Sequence, residues 1–263
     1  MPPKSRPRAY DPVKTRGAVL AQFGHVREAV RGLGEEQLAR ETYLAPWSVR
    51  ELAAHVGMVM YAVVRGLEAE EPARAELGLD RYVGTSAPHA ADIAETVRGL
   101  AEEHPDLDAW YGEIGDRLIP LLDAAPAGRI VPTRVGAMAL DDFMVTRVLE
   151  LVVHTDDLNR AAGTDVPMHR HALATCTRLL ADALAHRAPG ASTEVRIPPY
   201  AVVQCIEGPR HTRGTPPNVV ETDPLTWLRL ATGRTAWAEA VGEARVSASG
   251  ERADLSALLP LLR

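Results

Sequence analysis

Arg147-Val-Leu-Glu-Leu-Val-Val-His-Thr-Asp-Asp157 is the stretch on which the reading of this chain turns. Val148, Leu149, Leu151, Val152 and Val153 form an apolar run, interrupted by Glu150 and His154 at a spacing of four. On a helix, residues i and i+4 project from one face, a turn apart. Both polar groups then point inward, where an unpartnered carboxylate or imidazole costs several kcal/mol. They can form a buried hydrogen-bonded couple, which satisfies each only in part, or share a divalent cation, which satisfies both. Arg147, one turn before Glu150, can pair with it or bind a substrate anion. Asp156, Asp157 and Asn159 follow His154. Asp157 lies on the same face and is placed to orient a ligand, with capping or a solvated surface as the alternative.

Outward from this stretch, four helical segments precede residue 165. The first runs from about Asp11 to Leu33, with Val19, Phe23, Val26 and Val30 at helical spacing. The second starts after Ser48, a good N-cap, with Glu51 completing a capping box and Leu52, Val56, Val59 and Val63 as its stripe. Residues 71–90 read as a loop. A third segment covers about 89–124, with a break suggested near His104-Pro105, and a short extended piece, Arg129 to Pro132, follows. The fourth helix runs from about Ala137 to Ala162, stopped by Gly163 and Pro167. Four such helices in sequence can bury one another's apolar faces as a bundle. Beyond Pro167 a helix fits 168–187. Strand-like pieces follow at Thr193–Ile197, Ala201–Ile206 and Val219–Glu221, then two short helices at 223–232 and 236–241, a strand at 244–249 and a final helix at 253–262. Helices mixed with antiparallel strands make this half an α+β domain. The expected division is a flexible tail (1–10), a helical bundle (11–165) and an α+β domain (166–263).

The 263 residues are 46% hydrophobic and 24% charged, the composition of a packed globular protein. Aromatics are only 5%, which leaves the cores to Leu, Val and Ala. A net charge of −6 argues against general affinity for nucleic acid. No run of about 18 apolar residues offers a membrane span. Met1 is followed by a Pro- and Arg-rich stretch rather than an apolar one, so no signal peptide is expected. The two cysteines, Cys176 and Cys205, form neither a disulfide framework nor a CxxC pair. A reducing cytoplasm is the expected setting.

His55 sits on the apolar face of the second helix, three residues after Leu52 and four before Val59. Alone, it reads first as a core histidine bonded to a backbone carbonyl. Together with the pair on the fourth helix it can complete a His2Glu set with a coordination position left open, the arrangement of catalytic rather than structural zinc. Arg210, His211 and Arg213 form a basic cluster in a Gly/Pro-rich loop, suited to a carboxylate or simply exposed at a hairpin tip. The four tryptophans read as packing residues. Glycine-rich nucleotide loops and the GxSxG elbow are absent from the sequence.

Ala45-Pro-Trp-Ser-Val-Arg-Glu-Leu-Ala-Ala-His55 and Arg147 to Asp157, in that order and at that distance, resemble the two motifs of the mycothiol-dependent maleylpyruvate isomerase family, a group of DinB-like metal-binding four-helix bundles. The resemblance spans roughly residues 14–163. It implies that His55, Glu150 and His154 bind zinc and that mycothiol or another low-molecular-weight thiol is a cosubstrate. The implied reaction adds the thiol to a small electrophile, either as isomerisation or as S-transfer. Trp227-Leu-Arg-Leu-Ala-Thr-Gly-Arg-Thr-Ala-Trp-Ala-Glu-Ala and Ala244-Arg-Val-Ser-Ala-Ser-Gly-Glu-Arg resemble sterol-carrier-like domains, which accompany such bundles in actinobacterial proteins. The segment from Gln204 to Pro217 looks like a bacterial subfamily of these, not like the isomerase's own C-terminal domain. In the family an arginine of that domain assists the reaction; the sequence assigns it to no position here. Arg147, Asp157, Arg210 and Arg213 are the residues expected to assist catalysis. Two alternatives stand beside the enzyme: a non-catalytic carrier of a lipid or apolar small molecule, and a bundle that binds no metal and serves assembly.

Overall fold

The computed structural model describes residues 8–82, 89–208 and 217–262. Asp11 accepts a hydrogen bond from the Lys14 amide and starts α1 (Pro12–Arg31), with Pro12 in the first turn where its missing N–H costs nothing. Residues 8–10, the end of the expected flexible tail, are held in place. Arg8 pairs with Asp182 at 2.8 Å, and Tyr10 packs against the core. After a single turn, α2 (Glu35–Leu38), comes α3 (Val49–Glu68). The expected capping box forms at its start, with Glu51 Oε2 accepting from the Ser48 amide at 2.7 Å and Ser48 Oγ from the Glu51 amide at 3.3 Å.

The segment read as 89–124 is two helices, α5 (Ala90–Glu103) and α6 (Leu107–Ala124). Pro105 disfavours helical geometry at His104, and Asp106 accepts from the Ala109 amide to begin the second helix. The stretch read as loop contains one helical turn, α4 (Leu79–Tyr82). The fourth long helix also begins later than its sequence suggests. Gly136–Ala139 forms β2, paired antiparallel with β1 (Ile130–Thr133), before α7 (Leu140–Ala162) starts. An Ala-Met-Ala run suits either period. Gly136, at φ 129°, lets the chain turn back onto β1 and so decides for the strand.

α3 and α1 each pack against both α6 and α7, closing a four-helix bundle, while α5 lies on α3. Gly57 makes room for this arrangement, because a Cβ there would collide with the buried Trp110 ring. From α7 the chain passes through Gly163, left-handed at φ 70°, to α8 (Arg170–Arg187). α8 faces two ways, packing on α1 and α7 on one side and on β4 and α9 on the other.

The sheet of the second half has the order β4-β3-β5-β6, built from β3 (Thr193–Ile197), β4 (Ala201–Cys205), β5 (Val219–Thr222) and β6 (Val246–Ser249). It is not wholly antiparallel as the sequence suggests. β5 crosses to the far side of β3 and pairs with it in parallel, Val195 opposite Val220. Between β5 and β6 lie α9 (Pro224–Ala231) and α10 (Trp237–Gly242), whose buried Trp227, Leu228, Leu230 and Ala240 belong to the core. The final helix expected over 253–262 shrinks to one 3-10 turn, Ser256–Leu258. Pro260 pushes Leu259 into extended geometry, and Leu261 and Leu262 donate their amides to the Ala231 carbonyl instead.

In an exposed helix interior, Gly→Ala stabilises by about 0.5–1 kcal/mol, whereas forcing a methyl into a packed core costs about 1–3 kcal/mol. At Gly57 the collision with Trp110 wins, so Gly57→Ala is expected to lower unfolding free energy by about 1–3 kcal/mol. Urea denaturation checks it, and a stabilised variant would show that Trp110 gives way.

Candidate metal centre

The bundle brings His55, Glu150 and His154 together, one ligand atom from each lying within 4.8 Å of the other two. His154 Nε2 lies 3.3 Å and His55 Nε2 3.7 Å from the same carboxylate oxygen, Glu150 Oε2. Donors at the corners of a tetrahedron with bonds of about 2.0–2.1 Å stand about 3.3 Å apart, so these separations suit three ligands of one small cation. The donor set is chemically consistent with that fit. Both imidazoles are buried, while Glu150 keeps 22% of its side chain exposed and so marks the side open to solvent. Burial drives the His55 pKa down to about 4, against the pull of Glu150, which leaves the neutral imidazole that a metal requires. Burial opposes the Glu150 charge too, but His154, His55 and Arg147 outweigh it and hold the carboxyl well below its ordinary range.

The site's supports come from four elements. Trp47, just before α3, packs its ring against His55 at 4.9 Å between centroids. The two histidine rings meet edge to face at 4.6 Å. Tyr82, on α4, donates to Glu150 Oε1 at 3.4 Å and accepts from Arg147 Nη2 at 2.8 Å. Arg147 is therefore not paired directly with Glu150. Its other nitrogens donate to Thr146 Oγ1 and the Val59 carbonyl, and its guanidinium lies over the Phe143 ring. Arg147 is buried, and these bonds tie it to Tyr82, Thr146 and Val59.

Asp157 is 1% exposed, and its Oδ2 accepts from His154 Nδ1 at 3.0 Å, so it stands at the far nitrogen of His154 rather than on a solvated surface. Burial lowers the His154 pKa, but the hydrogen bonds to Asp157 and Glu150 prevail and raise it. Arg234 clasps Asp157, and Arg229 clasps the neighbouring Asp156 through bonds of 2.8 and 2.6 Å. Neither arginine was singled out from the sequence. The signal was there in two consecutive aspartates on a helix with a buried face, since buried carboxylates require cations or donors. Tyr82 was missed because its single helical turn lies in a stretch read as loop. Asn159 is structural, bonding to Thr164 and to both the amide and the carbonyl of Val166. Arg210 and Arg213 lie outside the described residues.

A family model described as the mycothiol maleylpyruvate isomerase N-terminal domain matches residues 19–159. The chain belongs to that family. A second model, described as a bacterial SCP ortholog, matches residues 169–261, so an SCP-like domain follows the isomerase-family domain. Two solved structures are similar, one of a mycothiol-dependent maleylpyruvate isomerase and one of a histidine-to-alanine variant of it. They are 15% and 16% identical, each with a TM-score of 0.59 over 93% of this chain and 95% of that one. At that identity the likeness shows the fold, and it extends through both halves of the chain. Among curated protein sequences no relative matches. Within the described residues no helix of this family member is long and apolar enough to cross a membrane.

The His55 shift has a definite sign. In the metal-free protein a depressed folded-state pKa means that the unfolded chain takes up the proton first. Stability then falls as pH drops from about 6.5 towards 4. Chelated wild type is expected to lose about 2.5 kcal/mol through this group across that window. His55→Leu should flatten the curve there, and an unchanged pH dependence in denaturant unfolding would refute the assignment.

Proposed function

We propose that this protein is a metal-dependent, thiol-activating enzyme of the mycothiol-dependent isomerase or S-transferase type, acting on a small electrophile. The observation that carries the reading is the convergence of His55 Nε2, His154 Nε2 and Glu150 Oε2 on one place in the bundle. Two imidazoles and a carboxylate, with no thiolate, suit zinc and leave a position free for an incoming group. A divalent cation held there lowers the pKa of a thiol, so that it stands as thiolate at neutral pH.

The chain's own residues do the rest. His55 presents a neutral imidazole because it is buried, and Trp47 fixes its ring. Glu150 supplies the negative charge, with Tyr82 donating to its outer oxygen and Arg147 in turn donating to the Tyr82 hydroxyl. Asp157 takes the Nδ1 proton of His154 in a hydrogen bond and turns Nε2 towards Glu150. The nucleophile is assigned to an external thiol, mycothiol or a similar small one, because the protein's thiols are poorly suited to the task. Cys176 is buried and its pKa is strongly raised, and burial pushes Cys205 up to about 11.

The thiolate sulfur would add to an electrophilic carbon, with the displaced electron pair taken up by the substrate's conjugated acceptor. Protonation of the adduct completes S-transfer. Alternatively, rotation about the bond made single, followed by loss of the thiolate, returns the thiol and an isomerised double bond. A substrate carboxylate is assigned to Arg210 or Arg213 on charge alone. In this reading residues 11–165 hold the metal and residues 166–263 close one side of the bundle.

Protein purified without added metal or a polyhistidine tag is expected to carry about one equivalent of zinc or a similar ion, the occupancy of a single catalytic site. His55→Ala and His154→Ala should each lose it together with mycothiol-dependent turnover. Elemental analysis and a thiol-adduct assay check both. Full metal content in His154→Ala would overturn the ligand set, and a co-purifying lipid without thiol-dependent chemistry would favour a carrier.

A further inference from the structure

His154 is fixed from outside the bundle. Its Nδ1 donates to Asp157 Oδ2 at 3.0 Å, and the same oxygen accepts from Arg234 Nη2 at 2.7 Å. Arg234 Nε donates to the other oxygen, Oδ1, at 3.1 Å, and Nη1 to the Thr232 carbonyl at 2.9 Å. Each nitrogen of the guanidinium has a partner, and both carboxylate oxygens are held by a two-pronged fork. Arg234 belongs to the SCP-like half. It follows Gly233, whose φ of 74° turns the chain back at the end of α9 and lets the Arg234 amide reach the Arg229 carbonyl at 2.7 Å.

From this geometry we infer that Arg234 is a positioning residue for the metal centre, reaching across from the SCP-like domain to set the orientation and tautomer of His154 through Asp157. A carboxylate free to rotate would offer Nδ1 an acceptor in several directions. One clamped by a fork offers it in one. The neutral ring is then held with its proton on Nδ1 and its Nε2 lone pair aimed at the place where Glu150 Oε2 and His55 Nε2 meet. The SCP-like domain is thus part of the metal site without contributing a ligand. The inference rests on the metal-binding reading of His55, Glu150 and His154 and adds the domain that prepares it.

The neighbouring pair supplies an internal control. Arg229 forks onto Asp156 with bonds of 2.8 and 2.6 Å, across the same junction and from the same helix end, but Asp156 has no bond to His154. Both pairs are buried enough for their loss to weaken docking. Only the Arg234 pair lies on the path to the ligand.

Zinc affinity of the full-length chain, measured by chelator competition, separates the two roles, with the visible spectrum of the cobalt-substituted protein reporting ligand geometry. Arg234→Ala is expected to weaken zinc binding about ten- to a hundredfold and to shift the cobalt bands. Arg229→Ala should leave both as in wild type while lowering the thermal midpoint. If Arg234→Ala does not fold, Arg234→Gln keeps much of the volume without the fork and carries the same expectation. Wild-type affinity and bands in a folded Arg234 variant would overturn the inference while leaving the metal site standing. So would an equal loss in Arg229→Ala, which would assign the effect to docking in general. Failure of the wild-type chain to bind zinc or cobalt would remove the metal reading and this inference together.

Discussion

α7 carries Glu150, His154, Asp156 and Asp157 along a helix that is otherwise packed on all sides, and the rest of the structure answers to the polar groups on that one element. A buried charge left without a partner costs about 3–5 kcal/mol when its pair is broken, against about 0–1 kcal/mol for a solvated ion pair. Surface pairs such as Arg8–Asp182 therefore decide little about how the pieces sit. The partners of α7 decide a good deal. They come from α3 as His55, from α4 as Tyr82, and from the end of α9 as Arg229 and Arg234. An apolar core tolerates small shifts in packing, whereas a hydrogen-bonded carboxylate accepts few arrangements.

Within this seam the two histidines differ in kind, although their rings are only 4.6 Å apart. Burial dominates at His55 and keeps it neutral. His154 lies between two carboxylates, which overcome burial and make it the better base. A cation at the same place would take over the role that a proton on His154 plays in its absence, and would satisfy Glu150 and His55 as well. Each nitrogen of His154 has a separate duty, Nε2 towards the open side and Nδ1 towards Asp157. That division is how a bundle core and a second domain come to share one residue.

The second half is joined to the first by more than its connecting residues. α8 packs on α1 and α7 as well as on β4 and α9, so the apolar core continues from the bundle into the sheet. The similar solved structures span both halves, in keeping with one continuous body in which the second domain rests beside the helix that carries Glu150 and His154.

Much of this was legible in the sequence, and for identifiable reasons. Hydrophobic spacing placed the long helices, the Ser48–Glu51 box fixed the start of α3, and Glu150 and His154 stood out because polar groups in an apolar run need a reason. The errors fell where local signals permit two outcomes or where partners are remote. Residues 137–139 suit a strand or a helix, and the turn at Gly136 that pairs them with β1 chose. Residues 253–262 carry a helical pattern that Pro260 and the bonds to Ala231 override. The parallel pairing of β3 with β5 follows from a crossover that no short-range signal records. Local periodicity and residue chemistry thus placed the long helices and the family motifs and marked His55, Glu150 and His154 as candidate donors. Tertiary structure alone decided that Arg147 is spent on Tyr82, and that Asp157 is gripped by an arginine 77 positions further along the chain. A helix face follows from spacing along one segment, but the partner of a buried charge is whichever distant group the fold brings to it.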